Sequence, residues 1–158
     1  MKNSTQNFKN IKAPAKQVYE AIMNPRALEQ WMAPGNMRGK VHSFDGRAGG
    51  GYKMSLYYSS SGTTAPGKTS SNEDRFHARF IELVPGKKIV QAIRFESDNP
   101  AFEDEMTMSI TLTEQETSTL VSILFENIPE GILPEDNETG TASSLDKLAA
   151  YIESRSSG

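Results

Sequence analysis

Two periods of hydrophobic recurrence divide this chain. From Gln6 to Ile11 a short polar segment reads as a strand, and Pro14 then opens a helix over about 14–23, where Val18, Tyr19, Ile22 and Met23 recur at helical spacing. Asn24-Pro25 interrupts it, and Pro25 starts a second helical segment carrying Leu28, Trp31 and Met32 before Pro34-Gly35 stops it. Met37 to Phe44 has the pattern of a strand, and the glycine-dense turn Asp45–Gly51 returns the chain into Tyr52, Met54, Leu56 and Tyr58 at period two. One face of that return strand is apolar and the other wet.

Residues 59–72 have no bulky apolar side chain and read as a long exposed loop. Glu73 to Val84 fits both periods: Phe76, Ala78 and Phe80 alternate as in a strand, while Phe76, Phe80, Leu83 and Val84 also suit a helix. Pro85-Gly86 turns the chain into the strand Ile89–Phe95, and Met106–Leu112 with Thr119–Phe125 alternate cleanly as an antiparallel hairpin. Finally Leu145, Leu148, Ala149 and Ile152 mark an amphipathic helix, with Glu135 and Asp136 near its start and Arg155 near its end, as its dipole favours. The tail 154–158 is expected to fray. The order is one strand, two short helices, six antiparallel strands and a long C-terminal helix, which is an α+β fold. An apolar sheet face and an amphipathic helix must cover each other. A strongly curved antiparallel sheet gripping that helix would leave space between them.

At 158 residues the chain suits one domain with a core of about 6–154. Its 23% charged residues and net charge of −3 supply no concentrated positive surface, so nucleic acid is not an expected partner. The absence of cysteine excludes disulfides, thiolate metal sites and cysteine nucleophiles, and fits a reducing, cytoplasmic setting. No apolar run approaches the ~18–20 residues of a membrane helix, and no membrane insertion is expected. His42 and His77 are too far apart to form a local metal pair, and neither a metal nor another cofactor is expected. His77 alternates against Phe76 and so belongs on the solvent face. Asp45 and Arg47 suit an ion pair locking a turn. No nucleophile and base pair is visible, which favours a binding protein over an enzyme.

One motif points elsewhere. Gly62 to Thr69 satisfies the Walker A pattern G-x-x-x-x-G-K-[ST], in which Lys68 would reach phosphates and Thr69 a magnesium ion. A helical 73–84 would even complete a βαβ unit. Against this, Ser70-Ser71-Asn72 lengthens the loop where a phosphate-binding helix should begin, and the downstream hairpin is antiparallel.

The order of elements, together with Ala13-Pro14 through Val18-Tyr19-Glu20-Ala21-Ile22, Pro25 to Pro34 and Asp45 to Gly50, resembles the SRPBCC superfamily, also called START-like or helix-grip. Phe80-Ile81-Glu82-Leu83-Val84-Pro85, and Gly140 with Leu145-Asp146-Lys147-Leu148-Ala149, place the resemblance in the branch of heat-shock-protein ATPase activator homologues, over about 11–153. Ala48 stands where the family often has Pro, and Thr141 where a Trp commonly follows the Gly. The resemblance implies a deep, mostly apolar cavity between the sheet and the last helix, which members use for lipids, polyketides or other apolar molecules. By alternation its walls would carry Met54, Leu56, Tyr58, Phe76, Phe80, Gln91, Ile93, Phe95, Met106, Met108, Ile110 and Ile123, with Leu145 and Leu148 closing from the helix and Trp31 at the mouth. Tyr58 and Gln91 would be the polar groups orienting a ligand in that chamber. A small hydrophobic molecule is therefore the expected partner of a monomer or homodimer. The alternatives are a module acting on a chaperone, a cyclase-like enzyme, and a P-loop nucleotide binder.

Overall fold

The computed structural model describes residues 3–33, 37–57, 73–97, 100–102 and 104–156. Seven strands form one antiparallel, curled sheet: β1 (Thr5–Ile11), β2 (Arg38–Asp45), β3 (Gly51–Tyr57), β4 (Glu73–Val84), β5 (Lys88–Phe95), β6 (Met106–Glu114) and β7 (Thr119–Glu126). The helices are α1 (Ala15–Ile22), α2 (Pro25–Trp31) and α3 (Pro134–Ser156). The spatial order β1-β7-β6-β5-β4-β3-β2 makes β2 to β7 a simple meander, with β1 joining beside β7. This is the helix-grip arrangement, with the 23-residue α3 held against the concave face.

Local chemistry explains the breaks. Asn24 caps α2, its side-chain oxygen accepting from the backbone N–H of Arg26 at 2.8 Å and of Ala27 at 3.2 Å, while Pro25 occupies the first helical turn. Pro14 provides no side-chain cap for α1, and the Glu114 carboxylate accepts from Ala15 N at 3.2 Å instead. At the β2–β3 turn Gly49 adopts φ 87°, and the Arg47 guanidinium forks onto Asp45 at 2.9 and 3.0 Å. That fork is the turn-locking pair expected from the sequence, and it holds the Asp45 carboxyl below its usual range.

The ambiguous segment 73–84 is a strand along its whole length, which overturns its helical reading. Hydrogen bonding to β3 on one side and β5 on the other outweighs the helical spacing of its apolar residues. Buried residues alternate from Asp74 to Phe80, Ile81 follows on the outward parity, and the bulge between Phe80 and Glu82 leaves Glu82 exposed as well. The βαβ context for the Walker-like motif falls with that helix, because 73–84 is a strand paired antiparallel to β3. Gly62 to Thr69, and the expected loop 59–72, lie outside the described residues. A second bulge, at His42, keeps both Val41 and Phe44 on the inward face, opposite Met54 and Tyr52.

Polar ties seat α3 on its surroundings. Lys9 pairs with Asp146 at 2.9 Å, Lys12 N donates to Glu153 at 3.0 Å, and the Thr5 hydroxyl donates to Asn137. On its other flank Ser144 donates to the Met32 carbonyl at 3.0 Å and Lys147 to the Ala33 carbonyl. Burial pushes the Lys147 ammonium below the ordinary lysine range.

Candidate functional site

The C-terminal half of α3 fills the groove of the sheet with Leu145, Leu148 and Ile152, each at most 1% exposed. Its N-terminal half presents Asn137, Gly140, Thr141 and Ser144 instead. These shorter side chains do not fill the space in front of β3–β7, and a cavity of about 180 Å³ remains. Its far wall is Leu56 of β3, Phe76 of β4, Ile93 and Phe95 of β5, Met106 and Met108 of β6, and Ile123 and Phe125 of β7. Trp31 and Met32 close one end, and Ile132 and Asp136 stand at the start of α3.

The candidate residues divide by position. Trp31, Leu56, Phe76, Ile93, Phe95, Met106, Met108 and Ile123 line the cavity. Met54, Phe80, Gln91, Ile110, Leu145 and Leu148 are packed into the core without lining it. Tyr58 lies outside the described residues. Gln91 is 2% exposed and its amide donates to the Met108 sulfur at 3.5 Å, so it bears on the cavity only through that methionine. Trp31 is fully buried, and its indole N–H finds no acceptor among the described residues. A buried donor left unpaired is costly.

Sequence reasoning missed Asp74, Phe125 and the polar face of α3. Phe125 continues the parity of Ile123, and Asp74 that of Phe76, so alternation alone places both on the inward side. Asp74 is 1% exposed and lines the cavity directly opposite Leu56. Thr141 lines the wall, and its hydroxyl donates to the Asn137 carbonyl at 2.7 Å.

The outer face of the sheet carries a different constellation. The Ser55 hydroxyl donates to Glu73 at 2.5 Å, and His42 Nε2 lies 2.8 Å from the same oxygen. The Ser55 hydroxyl and then the Arg75 guanidinium hold the Glu73 carboxyl below its usual range. Ser55 is fully shielded from solvent and faces away from the cavity, and this group ties β2, β3 and β4 together. His77 sits on the same outward face, as its parity requires, and pairs with Glu96. Among the described residues no set of His, Asp or Glu side chains converges as a metal site. None of the described helices is long and apolar enough to cross a membrane.

Solved structures share this architecture. Protein CV1439 from Chromobacterium violaceum is 34% identical, with 97% of this chain and 99% of that one covered and a TM-score of 0.85. Protein Ms6760 from Mycobacterium smegmatis superposes at a TM-score of 0.72 with 14% identity, over 98% and 91% of the two chains. DynU16, from the dynemicin biosynthetic locus, matches at a TM-score of 0.68 with 18% identity; 97% of this chain covers 48% of that one. No curated protein matches the chain. The family model of activator of Hsp90 ATPase homolog 1-like proteins matches residues 12–153, and the chain belongs to that family.

Proposed function

We propose that this protein binds one small, mainly apolar molecule in the cavity between β3–β7 and the N-terminal half of α3. The supporting observation is the wall itself: aromatic rings, aliphatic chains and three methionines surround a space that the shorter α3 side chains leave open. A cavity near 150 Å³ accommodates a benzene-sized guest, and ligands of drug size need about 300–1,000 Å³. At about 180 Å³ this one suits a single substituted ring. Met106 and Met108 make that wall adaptable, since the unbranched thioether repacks at little cost. The origin of DynU16 in a biosynthetic locus is in keeping with a small-molecule role. Toluene titrated into the purified protein should raise the Tm and perturb the Met106 and Met108 methyl resonances. No response at saturating toluene sinks the proposal.

A second reading, action on a chaperone ATPase, is supported by the family description and by the outward row Lys53, His77 and Arg94, aligned across β3, β4 and β5. It requires the ATPase rate of a purified Hsp90 to rise when this chain is added.

A further inference from the structure

We propose that the guest is a single ring carrying one neutral hydrogen-bond acceptor, a carbonyl oxygen, and that the indole N–H of Trp31 is the donor that selects it. The inference rests on the cavity reading above. Trp31 is the sole tryptophan of the chain, ends α2, is wholly shielded from solvent and forms part of the cavity wall. Its Nε1–H has no acceptor in the protein, and because bulk water does not reach the ring, an acceptor has to arrive with a guest in the space that the ring borders. The hydroxyls on the same wall are already committed. Thr141 donates to the Asn137 carbonyl at 2.7 Å and Ser144 to the Met32 carbonyl at 3.0 Å. Among the described lining residues, the indole is thus the fully buried side-chain donor with a hydrogen left to give. An indole N–H donates only, so it suits a lone pair and offers nothing to an ammonium group. No Lys, Arg or His stands among the described lining residues, so a carboxylate or phosphate would shed its water with no cation to meet it. A neutral oxygen satisfies both conditions. Met32, Met106 and Met108 share this wall, and their flexible thioethers give way to an oxygen approaching the indole.

Acetophenone and α-methylstyrene have nearly the same shape and differ in a carbonyl oxygen against a CH₂ group, and each is a single substituted ring of the size that about 180 Å³ suits. With one tryptophan in the chain, isotope-labelled protein has a single indole N–H resonance, which reads the bond directly. Acetophenone should move that proton downfield relative to α-methylstyrene, whose ring current is similar, and benzoate should not bind. In Trp31→Phe, which keeps a ring and removes the donor, the ratio of acetophenone to α-methylstyrene affinity should fall about fivefold or more from its value in the unaltered protein. Taking the ratio cancels the extra hydration that the ketone gives up on entering. The resonance of the unaltered protein tests the proposal even if Trp31→Phe does not fold. If α-methylstyrene binds and acetophenone fails to move the indole proton further, the role of Trp31 is overturned and the cavity reading stands. An affinity ratio unchanged in Trp31→Phe, or benzoate binding as tightly as acetophenone, does the same. If acetophenone, α-methylstyrene and toluene all fail to bind, both proposals fall together.

Discussion

Met108 shows how one side chain joins core and site. It is 2% exposed, receives the Gln91 amide at 3.5 Å from β5, and turns its thioether to the cavity. Met108→Trp adds bulk where space already exists, so toluene binding should be lost while the far-UV spectrum stays native; unchanged affinity would place the ligand elsewhere. Glu73 works on the other face. Its folded-state carboxyl sits below the ordinary value of about 4.5, so it stabilises the fold above that pH and the contribution is lost as pH falls below it. Glu73→Gln should therefore flatten the decline of the urea midpoint between pH 5 and pH 3, and equal slopes in the two proteins would refute the assignment. Asp45, held down by Arg47, acts in the same direction and remains in both.

At the scale of elements, pairing across the sheet decides what periodicity leaves open. β4 is fastened between β3 and β5, and the closeness of that fastening is measurable at Gly51. A Cβ there would stand 2.0 Å from the Ala78 carbonyl oxygen, with Arg79 Cα at 2.9 Å, so the two backbones would have to separate. Gly51→Ala should cost about 2–3 kcal/mol in urea unfolding, as overpacking commonly does; a loss under about 0.5 kcal/mol would show that the β3–β4 pair yields. α3 illustrates a division within one element. Large residues in its C-terminal half complete the core, and small polar ones in its N-terminal half leave the cavity. An apolar stripe marks Leu145 and Leu148 for this reason and leaves Gly140, Thr141 and Ser144 unmarked, because their contribution is the volume they do not fill.

Across the whole molecule the topology bears on the Walker-like motif. A P-loop sits in a βαβ unit with parallel strands, and here β3 and β4, the described strands on either side of the motif, are antiparallel neighbours in one sheet. Mg-ATP should accordingly leave the Tm unchanged in the natural protein and in Lys68→Ala alike; a stabilisation abolished by Lys68→Ala would contradict this. By itself the amino-acid sequence determined the element order, the inward parity of most strands, the Asp45–Arg47 turn and the family, because each depends on neighbours a few residues apart or on motif order. Only tertiary structure decided that 73–84 is a strand, that Gln91 ends on a methionine sulfur, and that Asp74 shares a chamber with residues of α3 some sixty positions away. A cavity is the volume that distant side chains fail to fill. Which of them fail depends on sheet curvature and helix placement, and no local pattern encodes either.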